Sequence, residues 1–291
     1  MRAVAIGECM VELAPQDDGL LRQGFAGDTF NMAWYLKRQR PDWAVDYLGA
    51  VGTDAMSTTM LEFMQGAGIG TAHVARRKHR TVGLYLISLK DGERSFSYWR
   101  GQSAARTLAD DPPALAQGLT GAGLVVFSGI TLAILPPKGR AALLLALKGC
   151  GAVVAFDPNL RARLWRGSAR MRAEVMAAAR VADIVLPSLD EEAAVFGDGT
   201  SEAVIARYRG AGAGTVVVKN GAGRIVAWDR VEGAAQCDPA PVVPRDTTAA
   251  GDSFNAGFLA ARLSGASLGA ALLAGAALAG KVVQHPGALV G

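Results

Sequence analysis

Asp252 closes the run Asp246-Thr247-Thr248-Ala249-Ala250-Gly251-Asp252 and opens a stretch, 253–262, that is apolar at helical spacing. The small residues Ala249, Ala250 and Gly251 therefore fall where a loop becomes a helix. There the first backbone N–H groups have no partner inside the helix, and the helix dipole is positive. Without side-chain bulk, a phosphate can come close to those donors. A carboxylate in the same turn repels such an anion, so its presence calls for a reason. Taking a proton from an attacking hydroxyl is one. Read locally, an N-capped helix with an ordinary acidic first turn explains the run equally well.

Three more sets of polar residues follow short apolar runs. Asp157, Asn159 and Arg161 come after Val153-Val154-Ala155-Phe156, and Ser188 and Glu191 after Ile184-Val185-Leu186. Lys219 follows Thr215-Val216-Val217-Val218 and precedes Asn220-Gly221-Ala222-Gly223. Such runs, alternating with helical stretches such as 137–148, predict an α/β protein with a mostly parallel sheet covered on both faces. Ligands of these sheets gather at the carboxyl ends of the strands, where all these residues lie. Taken singly, each set is an ordinary polar loop.

The elements that must position them are legible in outline. Residues 3–7 form a buried first strand, 45–51 a second, and 56–65 a helix. Asp28 or Thr29 is placed to cap a helix with Phe30, Ala33, Trp34 and Leu36 on its apolar face, with Asn31 in the first turn. Residues 8–13 alternate as a half-exposed strand. Residues 82–89 and 94–100 flank Lys90-Asp91-Gly92-Glu93, an Asp-Gly hairpin turn. Period two sets Phe96, Tyr98 and Arg100 on one face of that hairpin. Two apparent motifs fail. Gly275 to Lys281 has the glycine and lysine spacing of a phosphate loop, but Val282 replaces the hydroxyl residue and no strand precedes it, so a packed helix is expected. A Gly-x-Gly-x-x-Gly after the first strand is missing, against a dinucleotide-binding dehydrogenase.

Composition bounds the rest. At 291 residues, 51% hydrophobic and 19% charged, the chain supports a substantial core, and no repeat or linker divides it. A formal charge of +4 suits small anionic ligands and is too mild to argue for nucleic acid. The cluster Arg76-Arg77-Lys78-His79-Arg80 reads as a solvated loop edge. Three dispersed cysteines and three isolated histidines give neither a disulfide framework nor zinc spacing, and fit a reducing compartment. The five-residue apolar run before Glu8 is too short for a signal peptide, and 266–280 is too short to span a bilayer. A soluble cytoplasmic protein with no membrane partner is expected.

The run from Asp246 to Asp252 resembles the D-T-x-G-A-G-D pattern of the ribokinase-like (PfkB) carbohydrate kinases. Ala249 stands where most members have glycine, which is tolerable if its φ is negative. Matches continue in order from about Ala3 to Ala288. The resemblance implies a single kinase domain, 1–291, whose parallel sheet carries a small β-sheet lid from about 8–25 and 81–100, and a homo-oligomer formed through that lid. It implies ATP and Mg²⁺ as cofactors. Asp252 would be the base, beside an anion hole of the 249–252 amides, and Gly27, Asp28 and Asn31 would hold sugar hydroxyls. Arg161 of Asp157-Pro158-Asn159-Leu160-Arg161-Ala162-Arg163-Leu164-Trp165 would approach the sugar or the moving phosphoryl group. Glu191 would serve Mg²⁺ through water, with Ser188 departing from the usual Asn. Asn159, Ser188, Lys219, Gly221 and Gly223, with Gly287 of His285-Pro286-Gly287-Ala288, would border ATP.

Within the family, Ile6 to Leu13, Gly27 to Asn31, Ser128 to Leu135 and Tyr98-Trp99-Arg100 resemble the kinases of 2-keto-3-deoxygluconate. Fructokinases share the Glu-Arg-x-Phe-x-x-x-Arg pattern of the hairpin and stay open as an alternative, as does a non-catalytic sugar- or nucleotide-binding protein. A sugar acid needs a buried cation, and a guanidinium holds a carboxylate with two parallel hydrogen bonds. Arg100 is the expected recogniser, with Tyr85 and Tyr98 as hydroxyl or carbonyl partners. The competing reading pairs Arg100 with a lid acid such as Glu12.

Overall fold

The computed structural model describes residues 1–16, 19–90 and 93–291. Its strands are β1 (Arg2–Ile6), β2 (Met10–Pro15), β3 (Leu21–Ala26), β4 (Ala44–Gly52), β5 (Ile69–Arg77), β6 (Gly83–Lys90), β7 (Glu93–Trp99), β8 (Leu124–Ser128), β9 (Val153–Asp157), β10 (Ile184–Val185), β11 (Thr215–Val218), β12 (Ile225–Asp229) and β13 (Gly233–Cys237). The helices are α1 (Asp28–Gln39), α2 (Ala55–Gly66), α3 (Pro112–Leu119), α4 (Gly129–Ile134), α5 (Pro137–Gly149), α6 (Ser168–Ala179), α7 (Leu189–Phe196), α8 (Ser201–Ala211), α9 (Ala250–Arg262) and α10 (Leu268–Val282).

Nine strands form one sheet in the order β13-β12-β11-β10-β9-β8-β1-β4-β5. Pairing is parallel from β5 to β11, while β12 and β13 are antiparallel. Because side chains alternate across a strand, each run feeds two cores. Ala3, Ala5, Leu124, Val126 and Val217 join one face with α1, α2, α9 and α10. Val4, Ile6, Val125, Phe127, Val216 and Val218 join the other, under α5, α6 and α8. This double burial is why the strands read as continuous apolar runs.

A second sheet, β3-β2-β6-β7, stands apart. It is antiparallel except for the parallel β2–β6 pair. The expected hairpin is β6 and β7; its Asp91-Gly92 turn lies outside the described residues. One face buries Met10, Tyr85 and Ile87 against Ala26 and Ala288. The other leaves Leu21 50% and Trp99 60% exposed.

Several expectations need correction. Neither Asp28 nor Thr29 caps α1. Gly27 is the N-cap residue, and no side chain caps it. A Cβ on Gly27 would stand 2.2 Å from the Glu8 carbonyl oxygen, so the close approach of β2's entry demands glycine. Arg76 and Arg77 are the last residues of β5, not loop residues. That edge strand, like β13, has only weak alternation, which hid it. The apolar run Ile184-Val185-Leu186 gives a strand of only two residues, Ile184–Val185, before the chain turns into the loop that carries Ser188. The glycine-rich 275–281 segment is indeed helical. A Cβ on Gly275 would stand 2.9 Å from the Phe254 carbonyl oxygen, so this glycine serves the close packing of α10 on α9. Among the described residues, no helix is long and apolar enough to cross a membrane.

Candidate active site

A cleft of about 680 Å³ opens between the carboxyl ends of the large sheet and the inner face of the small one. Gly27, Asp28 and Asn31 enter it from α1, Tyr85 and Tyr98 from the small sheet, and Arg100 just beyond β7. Asn159, Arg161, Ser188, Glu191 and Lys219 enter from the ends of the parallel strands, and 249–252 from the mouth of α9. Residues from all parts of the chain thus meet on one cavity.

The mouth of α9 is held from a distance. Asp246 accepts from the Thr248 N–H at 3.0 Å and hydroxyl at 2.7 Å, and from the Gly287 N–H at 2.6 Å. Gly287 is thereby an anchor for the loop and does not line the cleft. The Ala250 N–H is occupied by the Thr247 carbonyl at 3.2 Å, and Ser253 N–H by Ala249 at 2.9 Å. Among the described residues, the N–H groups of Ala249, Gly251 and Asp252 have no protein acceptor, so of the four amides expected only that of Ala250 is engaged. Ala249 has φ 62° and ψ 14°, the left-handed region, which overturns the expectation of a negative φ. Its methyl group packs against the cluster under the small sheet, which offsets part of the backbone strain.

Three carboxylates, Asp252, Asp28 and Asp157, gather in the cleft with Lys219 and Arg161. Asp252 accepts from Asn31 Nδ2 at 2.8 Å, and Asp28 from Asn159 Nδ2 at 2.7 Å and the Thr29 N–H at 2.8 Å. Asp157 accepts from Lys219 Nζ at 2.9 Å and Asn255 Nδ2 at 2.6 Å. Burial in the cleft, then the charges of Asp28 and Asp157, push the Asp252 carboxyl up to about 8; Asn31 and Lys219 pull the other way. Asp28 is raised as well, chiefly by burial, against hydrogen bonds from Ser128, Thr29 and Asn159. A carboxylate with raised proton affinity beside unpaired N–H donors is equipped to take a proton next to a bound anion.

Arg161 pairs with Glu191, whose other oxygen accepts the Leu160 N–H at 2.8 Å. Burial raises the Glu191 carboxyl against the pull of Arg161. Arg100 pairs with Glu8 rather than Glu12, and Glu12 instead accepts from the Tyr85 hydroxyl. Tyr85 has therefore used its only donor and offers a ligand its lone pairs alone. Arg100 Nε and Glu8 Oε1 are buried without a partner among the described residues, and Arg100 lines the cleft.

Gly221 and Gly223 are exposed and lie outside the cleft wall; Gly223 N–H closes a tight turn onto Asn220 at 2.7 Å. Asn255, Asp246 and Arg163 were not singled out from sequence. Asn255 is wholly buried in an apolar helix, an oddity that could have marked it. Arg163 lies over the Tyr98 ring at 4.3 Å and links the two sheets, with no local sign of doing so. Among the described residues, no group of three or more His, Cys, Asp or Glu side chains forms a metal cage. The oxygen donors present suit a hard cation that keeps most of its ligands as water and phosphate.

Comparison with known proteins agrees with this geometry. The model of the family described as pfkB family carbohydrate kinase matches residues 2–290. A 2-dehydro-3-deoxygluconokinase of Dickeya dadantii is 40% identical, covering 98% of this chain and 95% of its own. A fructokinase of Salmonella typhimurium is 29% identical over 88% of this chain and 82% of its own. The crystal structure of a PfkB protein from a Polaromonas species superposes with a TM-score of 0.85 at 28% identity, over 98% of this chain and 96% of that one. With a match from end to end and an anion hole, base and cleft in one place, the chain belongs to the pfkB family of carbohydrate kinases.

Proposed function

We propose that this kinase transfers the γ-phosphoryl group of ATP to the 6-hydroxyl of 2-keto-3-deoxygluconate, giving 2-keto-3-deoxy-6-phosphogluconate and ADP. The observation that carries the chemistry is Asp252, its proton affinity raised, next to the unpaired Gly251 and Asp252 N–H groups. The sugar hydroxyl oxygen attacks phosphorus, the bond to the bridging oxygen of ADP breaks, and the hydroxyl proton passes to Asp252. The amides take up charge on the phosphoryl oxygens as they move. Asn31 holds Asp252 in place, and Gly27, Asp28 and Asn31 orient sugar hydroxyls. Mg²⁺ would supply charge neutralisation on the phosphates, with Glu191 placed to hold it through water. Asn159, Ser188 and the Lys219 to Gly223 loop are assigned to the nucleotide side.

The acid substrate is supported by the Dickeya relative's name and by Arg100, a cation on the cleft wall. The small sheet acts as a lid on a single kinase domain. Its exposed Leu21 and Trp99 face is assigned to pairing with a second copy. A fructokinase is the second reading, and one observation favours it: Glu8 already neutralises Arg100. An ADP-release assay over ketodeoxygluconate, its galactonate epimer, fructose and ribose tests both. The first reading expects the highest kcat/KM on ketodeoxygluconate. A higher value on fructose selects the second, and no ADP release with any sugar ends both.

A further inference from the structure

We propose that Lys219 is a positioning residue of the phosphotransfer site: its ammonium, clamped between Asp157 and Asn255, offsets the carboxylates around Asp252 and eases the ionisation that Asp252 needs to take a proton. The inference rests on the kinase reading above.

Lys219 follows the last residue of β11 and is buried. Its Nζ donates to Asp157 Oδ2 at 2.9 Å and to Asn255 Oδ1 at 3.2 Å. Asn255 Nδ2 closes the triangle onto the same Asp157 oxygen at 2.6 Å. Two side chains thus spend themselves on one ammonium, an arrangement that fixes its place. A Cβ on Gly251 would stand 3.5 Å from Nζ, so the charge lies under the first turn of α9, one residue from Asp252. The ionisable groups acting on Asp252 are Asp28 and Tyr35 from α1, Asp157 from β9 and Lys219 from β11. Lys219 is the one cation in that set. Arg161 pairs with Glu191 and also acts on Asp157 and Asp28, and of the two cations only Lys219 bonds one of these carboxylates directly. Three neighbouring carboxylates resist ionising together unless a cation compensates them. Lys219 does this without touching the sugar, acting through Asp157 and through the field at the mouth of α9.

The test compares kcat–pH profiles for ADP release by wild type, Lys219→Met, Lys219→Arg and Asp157→Asn. Removing the cation is expected to move the acid limb up by about one pH unit. Lys219→Arg should bring the limb back. Asp157→Asn, which removes a negative charge instead, should move it down. A lowered plateau with an unmoved limb in both Lys219→Met and Asp157→Asn would make the triangle a packing device and overturn the proposal. If Lys219→Met does not fold, the downward shift in Asp157→Asn decides alone. Carboxyl ¹³C shifts of ligand-free, aspartate-labelled protein, assigned by the resonance lost in Asp252→Asn, report the same displacement without turnover. A wild type that turns over no sugar while these shifts move as expected would sink the kinase reading and leave Lys219's effect on Asp252 standing.

Discussion

Replacing Arg100 by methionine separates two roles that the structure lays on one guanidinium. Arg100 is 9% exposed, lines the cleft and pairs with Glu8, 2% exposed. Removing one member of a buried pair strands the other, at about 3–5 kcal/mol of stability. That is a large share of the ~5–15 kcal/mol that holds a typical domain together, so Arg100→Met alone should melt on the order of 10 °C lower. Its kinetics would then mix unfolding with lost recognition. Glu8→Gln/Arg100→Met removes the stranded charge, and most of the melting temperature should return. In that double variant, loss of the carboxylate clamp is expected to cost about 2–5 kcal/mol of binding, a rise in KM for ketodeoxygluconate of roughly 30- to 5,000-fold. Fructose, which has no carboxylate, should be affected far less. The assay is ADP release with both sugars, alongside thermal melts. Equal rises in KM for both sugars in the stable double variant would refute acid recognition by Arg100 and leave it as the structural partner of Glu8.

Other perturbations test neighbouring parts of the site. Asp252→Asn should lower kcat by roughly 10²–10⁴ with ATP and sugar binding within a few-fold; unchanged turnover would remove Asp252 as the base. The same substitution has a signed effect on stability. The Asp252 carboxyl is raised from 3.8 to about 8 on folding, so it stabilises the fold at low pH and loses that contribution as pH rises through the folded value. Denaturant midpoints should therefore show the Asn variant gaining on wild type across that window, and a constant difference would contradict the shift. Ala249→Gly relieves a left-handed alanine while giving the unfolded chain more freedom, for a net gain of about 0.5–1 kcal/mol; a loss would mean that the methyl contact with the small sheet outweighs the strain. Amide exchange at 84–87 and 96–100 should slow on substrate binding if the small sheet closes as a lid, and slowing confined to the neighbourhoods of Gly221 and Gly251 would end that idea.

The helix mouth that carries Asp252 was legible in the chain because its parts are contiguous. Small residues, a carboxylate and a helical apolar pattern within 246–262 specify a helix mouth with an acid in it, whatever the rest of the fold does. The parallel sheet was legible for a related reason: strands buried on both faces must be apolar at every position. Edge strands such as β5, with few inward side chains, leave a fainter trace. What tertiary structure alone decided is which polar groups answer one another. Asp246 holds Gly287, 41 residues on, and in the resulting loop Ala249 takes a positive φ. Arg100 meets Glu8 across 92 residues, and Lys219 meets Asp157 across 62 and Asn255 across 36. No local pattern encodes such partners. A charge taken out of water must find compensation, and which compensating group arrives is set by the packing of distant elements around a common cleft.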